Sequence, residues 1–190
     1  INTVDQVNGN YFNSLIIINN KFEIIGKYNK NNLVPFGEFL PFENFLSKFG
    51  LKKITQGYQS FSPGSKREVV NIFDKNFLPL ICYEIIYSGN LKKKSEEFDF
   101  ILNLSEDGWF GDSIGLNQHF SHSIFRAIEE GKYLIRSANN GSSAYINFNG
   151  EVLESIKSTE SGVIEVNYYE KSSETLFSKQ GNKIFFYFIV

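Results

Sequence analysis

Apolar residues fall in short runs of strand length: Ser14–Ile18, Phe22–Tyr28, Glu68–Phe73, Phe77–Cys82, Phe98–Leu104, Ser143–Phe148 and Gly162–Val166. Several are rich in Ile, Val and Phe and are bounded by Asn, Asp or Gly, as β-strands are. Asn19-Asn20 and Asn149-Gly150 are placed to close hairpins, and Asn139–Ser142 is a further turn candidate. Two segments have helical spacing instead. Phe42, Phe45, Leu46 and Phe49 recur at i, i+3, i+4 and i+7, with Gly50 as a stop. Between Gly115 and Lys132, the residues Phe120, Ile124, Ala127 and Ile128 share a face, and Gly131 stands near the end. Strands dominate and helices are interspersed, so the expected class is α/β or α+β with a mixed sheet. No repeat and no Gly/Ser- or Pro-rich linker divides the chain.

The end of the chain breaks the pattern. Ile184–Val190 is an uninterrupted apolar run behind Lys183. Seven residues cannot cross ~30 Å of hydrocarbon at about 1.5 Å per residue. The run reads either as a terminal strand or as the first turns of a transmembrane helix.

Composition narrows the function classes. The 190 residues suffice for one domain with its own core, and 42% hydrophobic with 16% aromatic content excludes disorder. A net charge of −2 leaves no electrostatic footprint for nucleic acid. A single cysteine excludes an intrachain disulfide and a cysteine-based zinc cage. The chain begins at Ile1 and has no methionine, which reads as a piece of a longer protein.

That cysteine, Cys82, ends an apolar run and is followed by Tyr83 and Glu84. A thiol there is either a small core hydrophobe or a nucleophile, and a nucleophile needs a proton acceptor or a nearby cation. The two histidines, His119 and His122, share a helix, and nothing marks either as a partner of Cys82. Surface or capping roles are expected for them; as metal ligands they lack a third. Lys30 follows a strand end and precedes Leu33-Val34-Pro35-Phe36-Gly37-Glu38, a loop shaped by Pro35 and Gly37. A lysine held over a thiolate stabilises it and a developing oxyanion, although a lysine is more commonly solvated. Glu38, taken alone, is likewise more often a surface acid. Gly111-Asp112-Ser113-Ile114-Gly115 fits the serine-hydrolase elbow G-x-S-x-G. Both histidines follow Ser113 with no acid between, so the required order Ser, acid, His is not met.

Together these segments resemble a family. Tyr28-Asn29-Lys30, Leu33–Glu38, Ile81-Cys82-Tyr83-Glu84, Asp107–Gly115 with Gln118-His119, Arg136 and Asn139-Asn140-Gly141 look like the apolipoprotein N-acyltransferases. These form the membrane-bound branch of the nitrilase (carbon–nitrogen hydrolase) superfamily. The resemblance runs from about Asn13 to the C-terminus. The LVPFGE and WFGDSIG–QH blocks are specific to the branch, whereas the Lys…Cys-Tyr-Glu order is shared across the superfamily.

The resemblance implies a partial αββα sandwich with mixed sheets and a Glu-Lys-Cys triad. It makes Cys82 the nucleophile, Lys30 the oxyanion-stabilising lysine and Glu38 a second acid beside them. It places Tyr83, Glu84 and Trp109 against substrate, with the Tyr83 amide in the oxyanion hole. The triad glutamate is expected upstream of Ile1, which would leave this piece inactive alone. Residues 1–183 would form the hydrolase-like domain and 184–190 the start of a membrane helix. The implied reaction moves an acyl chain from a phospholipid to a diacylglyceryl-modified lipoprotein, with no cofactor or metal. Its expected place is the periplasmic face of a bacterial inner membrane. Two alternatives stand: a soluble nitrilase-type amidase using water as second nucleophile, and a non-catalytic lipid- or peptide-binding domain.

Overall fold

The computed structural model describes residues 1–50, 53, 60–89, 91, 97–167 and 174–188. It divides into two compact units, Ile1–Arg67 and Glu68–Val190.

The first unit is built on an antiparallel sheet of β1 (Asn2–Val7), β2 (Asn10–Ile18) and β3 (Ile24–Asn29), in that order. The expected hairpin at Asn19-Asn20 joins β2 to β3, and the Asn19 side chain accepts the amides of Lys21 and Glu23. β1 was not expected. It is closed onto β2 by Asn8-Gly9, both at positive φ, the turn geometry that Asn-Gly favours in hairpins. The helical spacing at Phe42–Phe49 yields one turn of α-helix, α1 (Glu43–Leu46), and a 3-10 turn to Phe49. No residue of either is buried, and Phe42, Phe45 and Phe49 are exposed. So short a helix has no packing of its own to hold it, and Phe42 caps it from a left-handed backbone without a side-chain bond.

The second unit is a six-stranded mixed sheet: β4 (Val70–Ile72), β5 (Lys75–Ile81), β6 (Phe100–Glu106), β7 (Tyr133–Asn139), β8 (Ser143–Ile146) and β9 (Val152–Ile156), neighbours in sequence order. β5, β6 and β7 are parallel and the remaining pairs antiparallel. The crossover from β6 to β7 is α2 (Gly115–Glu130), ended by Gly131 at φ 63. Leu78, Leu80, Ile101, Ala127, Leu134, Ala144 and Ile146 form the core between helix and sheet. Asn149-Gly150 closes the β8–β9 hairpin as expected, with Asn147 accepting the Asn149 and Glu151 amides. Gly162–Val166 is not a strand: it pairs with nothing among the described residues, and Val163 lies in solvent.

α3 (Leu176–Gln180) leads into a 3-10 helix, Gly181–Phe188. The terminal-strand reading of Ile184–Val190 is therefore corrected as far as Phe188; Ile189 and Val190 lie outside the described residues. Phe185, Phe186, Tyr187 and Phe188 are exposed. Among the described residues, no helix is long and apolar enough to cross a membrane.

Candidate active site

Cys82 stands where β5 stops. Phe77–Ile81 are all buried, and the chain then turns sharply into a 3-10 segment, Cys82–Ile86. The turn is made by Cys82 itself at φ 50, a left-handed conformation that costs a non-glycine residue about 1–3 kcal/mol and persists only where its surroundings impose it. Glu84 imposes it. Its carboxylate is fully buried and accepts the Ile81 amide at 2.9 Å, bracing the corner from inside. Glu84, expected against substrate, is thus engaged with the backbone of the turn. The half-buried Cys82 thiol donates to the Glu106 carbonyl at 3.6 Å. Tyr83 packs edge-on against Tyr87.

The end of β6 supplies the neighbouring groups. The Glu106 carboxylate accepts the Gly108 amide at 2.8 Å and the side-chain amides of Asn139 and Asn140. Burial alone would raise its pKa, but the Asn140, Gly108 and Asn139 bonds together lower it below the usual carboxylate range. Trp109 follows on a 3-10 turn, Gly108–Phe110, with 65% of its surface exposed.

Asp107 is buried and accepts Ser105 Oγ at 2.6 Å, His119 Nδ1 at 2.9 Å and Arg136 Nη2 at 2.5 Å. Burial opposes ionisation, yet the His119 bond, the Arg136 charge and the Ser105 hydroxyl outweigh it and hold the pKa at about 2. The expectation of a helix-surface role for His119 is corrected: it faces the sheet and is buried. Ser113, in the rejected elbow motif, lies exposed at the start of α2 with Oγ on the Gly115 amide.

Lys30 and Glu38 belong to the first unit, and it brings them together. The Ser14–Asn29 register of β2 and β3 sets Asn13 beside Lys30, whose amide donates to Asn13 O at 2.8 Å. The Lys30 side chain is only 1% exposed, and Nζ stands 2.8 Å from Glu38 Oε2. The same oxygen accepts the Val34 amide, and Glu38 Oε1 accepts Asn13 Nδ2, each at 2.8 Å. The loop expected from Pro35 and Gly37 therefore folds Glu38 back onto the end of β3. Lys30 is not a solvated lysine. A buried ammonium–carboxylate pair of this kind is costly to form and worse to break.

A cavity of about 300 Å³ lined by Asn76, Glu97, Phe98, Asp99, Lys132 and Glu174 lies at the start of β6, away from Cys82. Among the described residues, no three His, Cys, Asp or Glu side chains are grouped to hold a metal ion.

The second unit thus holds a thiol on a sharp turn after a buried parallel strand, and the first unit a buried lysine–glutamate pair. The model of the Carbon-nitrogen hydrolase family fits residues 1–170. The chain belongs to the carbon-nitrogen hydrolase family. Its relatives within that family bear out the resemblance seen in the motifs. It is 40% identical to the apolipoprotein N-acyltransferase of Rhizobium rhizogenes over 156 residues, 82% of this chain and 29% of that protein. The namesake from Rhizobium leguminosarum bv. trifolii is 38% identical over 90% of this chain and 32% of its own length. That of Agrobacterium fabrum is 37% identical over 94% and 34%. The chain thus spans about a third of the length of these relatives. Among solved structures, a carbon-nitrogen hydrolase from Helicobacter pylori superposes with a TM-score of 0.62 at 17% identity, over 83% of this chain and 56% of that one. A CN-hydrolase superfamily protein from Xanthomonas campestris gives 0.59 at 17%, over 82% and 57%. The mixed α/β class read from the strand and helix pattern is the carbon-nitrogen hydrolase fold.

Proposed function

We propose that this chain is part of an N-acyltransferase that moves a fatty acyl chain from a phospholipid to the N-terminal cysteine amine of a diacylglyceryl-modified apolipoprotein. The observation that carries the reading is the left-handed turn that holds the chain's single thiol at the end of β5. The names of relatives 37–40% identical to it support the substrate class.

The chemistry uses the roles that the resemblance implies. Cys82, once deprotonated, attacks the ester carbonyl, and charge develops on its oxygen. The resemblance gives the Lys30 ammonium and the Tyr83 amide the task of stabilising that charge. The ester C–O bond breaks, and the leaving lysophospholipid takes the proton held by the base, the glutamate that the resemblance places upstream of Ile1. The acceptor amine then attacks the thioester, the C–S bond breaks, and the released proton returns to the thiolate. Glu38 fixes the lysine through the 2.8 Å ion pair. Trp109, exposed beside the turn that carries the Glu106 contact, offers apolar surface to acyl chains. The site works at the periplasmic face of a bacterial inner membrane, where both substrates arrive by lateral diffusion.

The test is acyl transfer by the full-length protein carrying Cys82→Ser. Turnover should fall to background. Normal turnover by this variant would end the proposal.

A further inference from the structure

Glu106 touches the Cys82 sulfur through its backbone carbonyl, and the position of that carbonyl is fixed from the next residue. The Asp107 amide donates to Asn139 O at 2.9 Å across the β6–β7 edge. The Asp107 carboxylate, 1% exposed, is held by Ser105, His119 and Arg136. Arg136 is buried too, and ties the cluster to Asn103 of β6, Ser123 of α2 and the Ser142 carbonyl of the β7–β8 turn. Side chains from two strands and the crossover helix therefore converge on the carboxylate of Asp107, whose amide belongs to the peptide that accepts the Cys82 thiol.

Stability alone does not account for this cluster. A buried arginine–carboxylate pair seldom improves on apolar side chains of equal volume. His119 commits Nδ1 to Asp107 and leaves Nε2 buried without a hydrogen bond among the described residues, which penalises folding. Asp107 also demands a glycine at 141, where a Cβ would stand 2.1 Å from its Oδ2. Costs of this kind persist where geometry matters more than stability.

We infer that Asp107 is a positioning residue for Cys82, clamped by His119 and Arg136 so that the Glu106 carbonyl fixes the direction of the thiol. A cysteine side chain otherwise samples its staggered rotamers, and only one presents the sulfur to a bound carbonyl. The contact with Glu106 O sets the rotamer of the resting thiol, and the sulfur attacks from that position once its proton has passed to the base. This rests on the reading of Cys82 as the acylated nucleophile.

The test measures single-turnover thioester formation on Cys82 in the full-length protein supplied with phospholipid vesicles. Asp107→Asn keeps the size of the side chain and removes its charge. Its acylation rate should fall about tenfold or more while the phospholipid KM changes less than about threefold. If Asp107→Asn does not fold, His119 decides. The Nδ2 of asparagine can donate where the histidine Nδ1–H does, whereas leucine cannot. His119→Leu should acylate slowly and His119→Asn should recover most of the rate. An Asp107→Asn rate within about twofold of wild type, or equal rates in the two His119 variants, overturns the inference. A wild type that never acylates Cys82 overturns the acyl-transfer reading and this inference with it, so the two failures are told apart.

Discussion

Lys30 Nζ stands 2.8 Å from Glu38 Oε2 with the lysine side chain almost wholly out of solvent. Two consequences follow for one substitution. Lys30→Ala should slow acylation by ~10²–10³, the range for loss of one oxyanion donor. It should also destabilise the fold by about 3–5 kcal/mol, because Glu38 loses its buried counter-charge. Thermal denaturation beside single-turnover kinetics separates the effects. An unchanged melting temperature would mean that Lys30 is solvated in solution.

Cys82 predicts an opposite pair of effects. Its φ of 50 suits glycine better than any side chain. Cys82→Gly should be more stable than Cys82→Ala by about 1 kcal/mol, since only glycine relieves the strain. Both should be inactive. Urea denaturation of the two variants checks the difference.

Asp107 contributes to the acid dependence of the second unit. Its pKa is held at about 2, below the ordinary value of 3.8. A lowered carboxylate pKa gives stability that is complete above the unfolded value and is lost as pH falls toward the folded one. Stability should therefore be flat in this respect above about pH 5 and decline between about pH 4 and 2, by about 2 kcal/mol from this group. Asp107→Asn should be less stable at neutral pH and should lose that part of the acid slope. Denaturant midpoints across pH test it, and an unaltered acid slope would contradict the assignment.

Gly141 is predicted to be intolerant of any side chain. Alanine there would put Cβ 2.1 Å from Asp107 Oδ2, inside a cluster with no slack. Gly141→Ala should cost roughly 1–3 kcal/mol. It should also slow acylation in the same way as Asp107→Asn. A stable, fully active Gly141→Ala would show that the carboxylate can move.

Much of this was legible in the sequence, and what was missed has physical causes. β2, β5, β6, β8 and α2 announce themselves because each buries an apolar face, whereas β3 is legible from its residue types although only Tyr28 in it is buried. β1 does not, since most of its residues are exposed, although Asn8-Gly9 signals the hairpin. β7 was hidden by Arg136, a charged residue in a buried strand whose partners lie on β6 and α2. The Phe42–Phe49 spacing is real, but periodicity cannot say whether a face finds anything to pack against. Cys82, Lys30 and Glu38 were readable as motif positions. The Lys30–Glu38 pair spans only eight residues (38 minus 30) and needed the loop to close it. His119 was misread because its partner Asp107 comes from another element, and helical spacing does not report tertiary partners.

Acyl transfer by this route requires Cys82 to carry the acyl chain between donor and acceptor. The most direct measurement is mass spectrometry of the Cys82 peptide, after the full-length protein is exposed to phospholipid and then to a lipopeptide bearing a free N-terminal amine. A hydroxylamine-sensitive acyl adduct should form on Cys82 with phospholipid alone and be discharged onto the amine when the lipopeptide is added. Acylated lipopeptide formed with no adduct ever detectable on Cys82, or formed equally well by Cys82→Ala, would contradict it.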